Sequence, residues 1–121
     1  MVNHNNLDFY HMAISLDREI SLIVKELNDK KEYAIARQLD KASISISSNI
    51  SEGAGKHSIK DYVRFLRIAK GSSNEVETQL LLIKNRGLIS LGTYDRVNKD
   101  LVIIKRKLSK YMKKIVEDQG F

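Results

Sequence analysis

The sequence predicts an all-α protein, an antiparallel up-down-up-down four-helix bundle that forms a single domain over residues 1–121. Three observations favour this fold. Apolar residues recur at spacings of three and four along four separate segments, which is the period of an amphipathic helix. Short polar stretches separate the segments, and short connections make consecutive helices antiparallel. The chain contains no proline, so nothing forces a long helix to break.

The first two helices differ in how clearly the sequence predicts them. The first has an apolar stripe of Ala13, Leu16, Ile20, Ile23 and Leu27, and the polar residues 28–31 predict its end. Within the second, residues 43–47 alternate serine and isoleucine, which is locally the pattern of a strand. A lone strand without a partner is not stable. A helix from about Glu32 to Glu52 is therefore favoured, closed by Gly53, with a stripe of Ile35, Leu39, Ala42, Ile46 and Ile50.

The third and fourth helices are predicted to be long. Ser58 is a good N-cap for the third, Asp61 suits its first turn, and residues 85–87 supply a stop. Its stripe contains Ile59, Tyr62, Leu66, Ala69, Ser73, Val76, Leu80 and Ile83. The fourth helix begins near Thr93, and residues 120–121 are expected to fray. Its heptad seam contains Tyr94, Val97, Leu101, Ile104, Leu108, Tyr111 and Ile115.

Two small, polar motifs interrupt the apolar segments at residues 49–53 and 71–75. Glycine in a helix interior costs about 0.8–1 kcal/mol relative to alanine, so it usually permits a close approach of backbones. Counting outward from the turn between the second and third helices predicts that Ala42 faces Ala69. We therefore expect a close helix crossing at Gly71.

The same count predicts a hydrogen-bonded group at this crossing. Gln38 would face Ser73, and together with Ser72 these polar side chains would satisfy one another. The alternative is that the serines face solvent. Under the first interpretation, a leucine at Gly71 would overpack the crossing and destabilise the bundle.

These motifs also carry a resemblance. Gln38, the segment Asn49-Ile-Ser-Glu-Gly53 and the pattern Tyr62-x-x-Phe65-Leu66-x-x-Ala69-x-Gly71-Ser72-x-x-Glu75-x-Glu77-x-Gln79-Leu80 resemble the four-helix-bundle proteins associated with 23S rRNA intervening sequences. This family is also called the S23 ribosomal protein family, and it is similar to the accessory variability protein of diversity-generating retroelements. The match extends from about Arg37 to Leu88; the outer helices match only in apolar pattern.

The resemblance implies an oligomeric bundle, often a pentameric ring. In the retroelement relatives it also implies a basic surface that engages nucleic acid and a reverse transcriptase. The motif residues carried over to this chain are Gln38, Asn49, Glu52, Gly53, Gly71, Ser72 and Glu75. Asp40-Lys41 departs from the family pattern, which tends to have a basic residue followed by small apolar ones, and the first turn lacks the usual proline.

Basic residues supply the main functional candidates, because the net charge is +6. Opposite its heptad seam the fourth helix carries Lys99, Arg106, Lys107, Lys110, Lys113 and Lys114, and the third helix adds Lys60, Arg64 and Arg67. Both sets suit phosphates, which are bound by charge without sequence readout. The alternative is ordinary solvated helix faces. We favour a non-enzymatic protein that binds RNA or DNA; the rival is an adaptor that recognises another protein.

Apolar residues outside the helical stripes predict self-association. Residues 80–83 are apolar around almost the whole circumference of the third helix, and a helix of this kind is usually buried on most sides. The candidates for a subunit interface are Phe65, Ile68, Leu81, Leu82, Val102 and Ile103.

The remaining residues favour no catalytic, metal or cofactor site. The chain has no cysteine, no Gly-x-Ser-x-Gly elbow and no phosphate-binding glycine loop. Asp8-x-x-His11 is the nearest approach to a metal-binding pair, but it stands alone. No run is long and apolar enough to span a membrane. Without a signal peptide at the N-terminus, we expect a cytoplasmic location.

Overall fold

The computed structural model describes residues 2–119, of which most lie in four helices. The α-helices are α1 (Asp8–Asp29), α2 (Tyr33–Ala54), α3 (Ile59–Asn85) and α4 (Leu91–Gln119), and a short 3-10 helix (His4–Asn6) precedes them. The described residues contain no strand, and the serine–isoleucine alternation at 43–47 lies inside α2. The prediction of an all-α protein is therefore confirmed.

Each helix packs against two others, in the order α1–α2–α3–α4 and back to α1. At one end of the bundle, Phe9 at the start of α1 contacts Tyr111 near the end of α4. At the opposite end, the Lys30 ammonium donates to the carbonyl of Leu88, just before α4 begins. These two contacts show that α1 and α4 run antiparallel, as the up-down-up-down prediction requires.

The core consists of the predicted apolar stripes. Every stripe residue of α1 is buried, and so are those of α2 and α3 apart from Ile35 and Ile59, which are half-buried. In the seam of α4, the four central residues are buried and Tyr94, Tyr111 and Ile115 are partly exposed. Buried residues that the stripes missed include Val63 and Met112.

The helix ends follow local hydrogen-bonding rules. The Ser58 hydroxyl accepts from the backbone N–H of Asp61 at 3.1 Å, as predicted. Gly87, just after α3, has a φ of +71°, the left-handed conformation that glycine adopts most easily. Ser90 accepts from the N–H of Thr93, so α4 begins at Leu91, slightly earlier than predicted. The expected fraying of residues 120–121 lies outside the described residues.

The prediction that Gly53 closes α2 is wrong, because the helix continues to Ala54. Gly53 is buried where α2 approaches α3. A Cβ atom at this position would lie 2.7 Å from Cβ of Phe65 and 3.2 Å from Cδ1 of Tyr62. The first distance is shorter than real Cβ contacts allow, and the second is unusually tight. Gly53 is therefore the glycine that permits the close approach of the two helices.

The predicted crossing at Gly71 is also wrong. Gly71 is exposed, and a Cβ atom there would have no neighbouring atom within 4 Å. The Ser45 and Ser72 hydroxyl groups lie 2.7 Å apart and fix a register more than one helical turn from the predicted pairing of Ala42 with Ala69. The outward count from the turn therefore does not give the register, even though α2 ends only two residues later than predicted.

The expected hydrogen-bonded group at the crossing is replaced by a different one. Gln38 is exposed, and the Ser73 hydroxyl donates to the Ala69 carbonyl of its own helix at 2.9 Å. Ser72 instead contacts Ser45, whose hydroxyl and carbonyl both accept from the side-chain amide of Asn49. The serines therefore face α2 rather than solvent, but with different partners.

An aromatic cluster joins three helices near one end of the bundle. The buried Tyr62 hydroxyl donates to the Tyr111 hydroxyl at 2.8 Å, and Phe9 packs on the Tyr111 ring. Burial and this hydrogen bond raise the pKa of Tyr62 far above its ordinary value, so Tyr62 stays neutral. The cluster ties α3 to α4 at the level where α1 begins.

The two glycines should respond oppositely to alanine. Gly53→Ala should destabilise the bundle by about 1–3 kcal/mol, because the added methyl overpacks the contact with Phe65. Gly71→Ala should stabilise it by about 0.5–1 kcal/mol, because the new Cβ enters open space and alanine favours the helix. Urea unfolding followed by circular dichroism measures both. Equal effects of the two substitutions would contradict the assigned crossing.

The tyrosine pair predicts a second asymmetry. Tyr62→Phe should cost about 1 kcal/mol, the usual net value of one hydrogen bond. Tyr111→Phe should cost more, about 1–3 kcal/mol, because it leaves the buried Tyr62 hydroxyl without its acceptor. Thermal or urea unfolding of the two single variants provides the comparison. A smaller cost for Tyr111→Phe would mean that Tyr62 finds another acceptor.

Candidate functional site

The net positive charge lies in one half of the bundle. Residues 1–55, which form α1 and α2, contain 6 Lys and Arg against 8 Asp and Glu, a net charge of −2. Residues 56–121, which form α3 and α4, contain 15 against 7, a net charge of +8. The α3–α4 half therefore accounts for the whole positive excess of the protein.

On α4, the predicted basic residues occupy the surface opposite the buried seam. Lys99, Arg106, Lys110, Lys113 and Lys114 are all exposed, and none forms an ion pair within residues 2–119. Lys107 differs, because its ammonium binds the Asp8 carboxylate on α1. The free charges of this helix therefore point away from the bundle.

The three predicted basic residues of α3 are exposed but not equivalent. Arg64 lies 3.7 Å from the Asp61 carboxylate, and its guanidinium lies 4.5 Å from the centre of the Phe65 ring. Lys60 and Arg67 have no such partners among the described residues. Lys70, which the sequence interpretation omitted, is half-buried two turns before Glu77 on the flank of α3 that faces α4.

Packing of α3 against α4 brings the two basic sets together. The Lys105 ammonium lies 2.9 Å from the Glu77 carboxylate, and Tyr62 binds Tyr111 further along the same helix pair. Between these two contacts lie Arg67 and Lys70 of α3 and Arg106 and Lys110 of α4. We name these residues, together with Lys60 and Lys113 near the tyrosine contact, the α3–α4 basic face: Lys60, Arg67, Lys70, Arg106, Lys110 and Lys113.

A shallow groove between α3 and α4 adjoins this face at Arg106. It encloses about 430 Å³ and is lined by Glu77, Val102, Lys105, Arg106 and Ser109. Glu77 is the only carboxylate in this lining, and Lys105 neutralises it. The sequence interpretation missed Lys105 and Ser109, although their i, i+4 spacing places both on the flank of α4 that faces α3.

The face has the chemistry of a phosphate-binding surface. Its lysine and arginine side chains supply N–H donors and positive charge, which bind phosphate oxygens in any sequence. Its nearest aromatic side chains are unsuited to stacking on bases, since Tyr62 is buried and Tyr111 is half-buried in the packing of α3 against α4. The arrangement therefore favours contact with a sugar–phosphate backbone.

Asp8 and His11 have other partners. A hydrogen bond from the Lys107 ammonium holds the pKa of Asp8 below its ordinary value, whereas the ring of His11 contacts the Asn5 carbonyl at 2.8 Å. Within residues 2–119, no cluster of His, Asp and Glu side chains is arranged to hold a metal ion. None of the described helices is long and apolar enough to cross a membrane.

The remaining motif residues line the opposite flank of α3, where it meets α2. Glu52 pairs with Lys56 at 3.2 Å, and Gln79 donates to Glu75 at 3.3 Å. The motif is therefore separate from the α3–α4 basic face.

Of the predicted interface residues, three on α3 are exposed, namely Ile68, Leu81 and Leu82, and three are half-buried, namely Phe65, Val102 and Ile103.

Fold and charge together define a four-helix-bundle protein with one strongly basic face. Comparison with known proteins gives the family. The sequence profile of the 23S rRNA-intervening sequence proteins matches residues 5–110, and the chain belongs to that family. This confirms the resemblance to the proteins associated with 23S rRNA intervening sequences.

A solved structure supports the same assignment. The chain is similar to a protein of unknown function from the S23 ribosomal protein family of Bacteroides thetaiotaomicron, with 27% sequence identity and a TM-score of 0.84. The similarity covers 87% of this chain and 98% of the other. No curated protein matches the chain.

The Lys107–Asp8 contact predicts a measurable titration. Lys107→Gln should raise the pKa of Asp8 towards 3.8, its ordinary value, because the charged hydrogen-bond donor is removed. With a lowered folded-state pKa, Asp8 contributes stability above its unfolded pKa and loses it as the pH falls through the folded value. Carbon-detected NMR of the carboxyl group follows this titration. Lys110→Gln is the control and should leave Asp8 unchanged.

Proposed function

We propose that this protein is a non-enzymatic, self-associating protein that binds RNA or DNA through the α3–α4 basic face. The observation that carries the proposal is the convergence of unpaired cations from two helices on one surface. A stripe on a single helix is typical of any solvated helix. Two stripes on adjacent helices, in the half of the chain with a net charge of +8, favour a polyanion.

Binding would depend on the backbone of the nucleic acid rather than on its sequence. The face offers charge and N–H donors without exposed aromatic rings, so affinity should fall steeply with salt as counterions are released. The family description mentions an rRNA intervening sequence, which supports RNA as a ligand. A cytoplasmic location, where such RNA is found, is part of this proposal.

A second candidate function is recognition of another protein. Exposed Ile68, Leu81 and Leu82 on α3 favour it, because exposed large apolar side chains can mark a protein contact. Under this alternative the basic residues only maintain solubility. An apolar contact should be nearly independent of salt, unlike phosphate binding.

A charge-reversal variant tests the nucleic-acid proposal. Arg106, Lys110 and Lys113 are exposed and unpaired on α4. Changing all three to Glu should abolish most binding to labelled RNA and DNA in fluorescence anisotropy. The salt dependence should flatten by up to about 0.9 units of slope for each phosphate that the variant no longer binds. The fold should remain, since exposed substitutions usually change stability by about 0.5 kcal/mol or less.

The chain offers a matched control on the other half of the bundle. Arg18, Lys25 and Lys41 are also exposed and unpaired among the described residues, so changing them to Glu alters the net charge by the same amount. This variant should retain most of the binding. Equal losses of affinity in the two triple variants would mean that net charge, not the basic face, governs binding. No binding by the unaltered protein at low salt would favour the adaptor function.

A further inference from the structure

Glu77 is an acidic residue in a mostly basic region. It lies on the flank of α3 that faces α4, two helical turns after Lys70 and two turns before Lys84. Among the five residues that line the groove between α3 and α4, Glu77 is the only acid. A carboxylate in this position weakens the attraction of the neighbouring cations for phosphate, because like charges repel. Phosphate binding alone therefore does not explain Glu77.

The ion pair with Lys105 uses only one oxygen of this carboxylate. The Lys105 ammonium lies 2.9 Å from Oε1 of Glu77, while no hydrogen-bond donor among the described residues contacts Oε2. The Glu77 side chain is 39% exposed, so a ligand in the groove can reach it. An ionised carboxylate accepts about four hydrogen bonds in all. Glu77 therefore has free acceptor capacity, which only a hydrogen-bond donor can use.

The other residues that line the groove suit a sugar beside a phosphate. Val102 is half-buried and supplies an apolar surface against which the C–H groups of a sugar ring can pack. Ser109 lies two turns further along α4, and its hydroxyl can donate or accept a hydrogen bond. Arg106 is exposed and unpaired at the edge of the groove, where it can bind a phosphate. The groove volume of about 430 Å³ is within the range that holds small ligands.

We infer that the free oxygen of Glu77 accepts a hydrogen bond from a ribose 2′-hydroxyl, so that the groove selects RNA over DNA. Along a nucleic-acid backbone, the phosphate and sugar-ring oxygens are all acceptors. The 2′-hydroxyl is the one backbone group that also donates, and DNA lacks it. With a ribose in the groove, Val102 would contact the sugar and Arg106 the adjacent phosphate. Glu77 then recognises the sugar, whereas the cations of the α3–α4 basic face bind the phosphates.

The same carboxylate would disfavour DNA. A deoxyribose in the groove presents only C–H groups to Glu77, which would lose water without gaining a hydrogen bond. The negative charge of Glu77 would also remain close to the phosphates on either side of that sugar. Discrimination of this kind combines attraction to one ligand with a penalty against the other. The inference rests on the proposed binding of nucleic acid to the α3–α4 basic face and names RNA as the ligand.

Three single strands of one base sequence test the inference: RNA, DNA and 2′-O-methyl RNA. The methylated strand retains the sugar conformation of RNA but has no 2′ O–H group to donate. Fluorescence anisotropy at one low salt concentration measures the affinity of the unaltered protein for each strand. RNA should bind about tenfold more tightly than either of the other strands, as expected for one hydrogen bond to a charged group.

Two alanine variants assign the preference to a residue. Glu77→Ala should reduce the preference for RNA over DNA to about twofold or less, because RNA loses its acceptor and DNA no longer meets an unpaired carboxylate. Glu75→Ala is the matched control, since Glu75 is exposed on the opposite flank of α3 and its loss changes the net charge by the same amount. This control should retain the full preference. Circular dichroism establishes that both variants are folded.

The remaining outcomes separate this inference from the proposed function. If no strand binds the unaltered protein at low salt, both are wrong. If RNA and DNA bind equally, nucleic-acid binding stands and the role of Glu77 is wrong. That role is also wrong if 2′-O-methyl RNA binds as tightly as RNA, since the protein would then recognise the shape of the strand. An unchanged preference in Glu77→Ala leads to the same conclusion and would mean that Glu77 only holds Lys105 in place.

Discussion

The close approach of α2 to α3 at Gly53 determines much of this structure. Because no side chain separates the helices there, Phe65 and Tyr62 lie directly against the backbone of α2. That contact sets the register in which Ser45 meets Ser72. The apolar stripe of α3 buries Ser72 and Ser73 and leaves Gly71 on the outer surface. The close approach at Gly53 then decides which side chains of α2 meet that buried face.

The two halves of the bundle differ in net charge. The α1–α2 half is slightly acidic, and two of its carboxylates form ion pairs with basic residues of α4. Asp8 pairs with Lys107, and Glu19 pairs with Arg96. These contacts neutralise some of the basic residues of α4. The basic residues on the outward surface of α4 form no ion pair among the described residues. The α3–α4 surface therefore remains strongly positive.

Sequence patterns predict the helices here better than they predict the contacts between them. Apolar spacing and capping residues such as Ser58 act over a few neighbouring residues. The apolar stripes and most helix ends can therefore be predicted from the sequence. The identity of the glycine at the crossing does not follow from these local signals, because it depends on how α2 packs against α3. The pattern favoured Gly71, whereas the structure has Gly53 at the crossing. The basic residues are predictable as two stripes. Their union in one face, with Lys70 and Lys105 at its centre, requires the packing of α3 against α4.

The aromatic cluster at the end of the bundle has a consequence for recognition. Tyr62 and Tyr111 hold α3 and α4 together beside Lys60 and Lys113, and Phe9 braces them from α1. The spacing between the two rows of cations is therefore established before any ligand arrives. A preorganised surface loses little conformational freedom on binding, and lysine and arginine side chains need only adjust their ends. Under the proposed function, selectivity would follow from the geometry of the ligand, since a sugar–phosphate backbone that matches this fixed spacing would bind without deforming the protein.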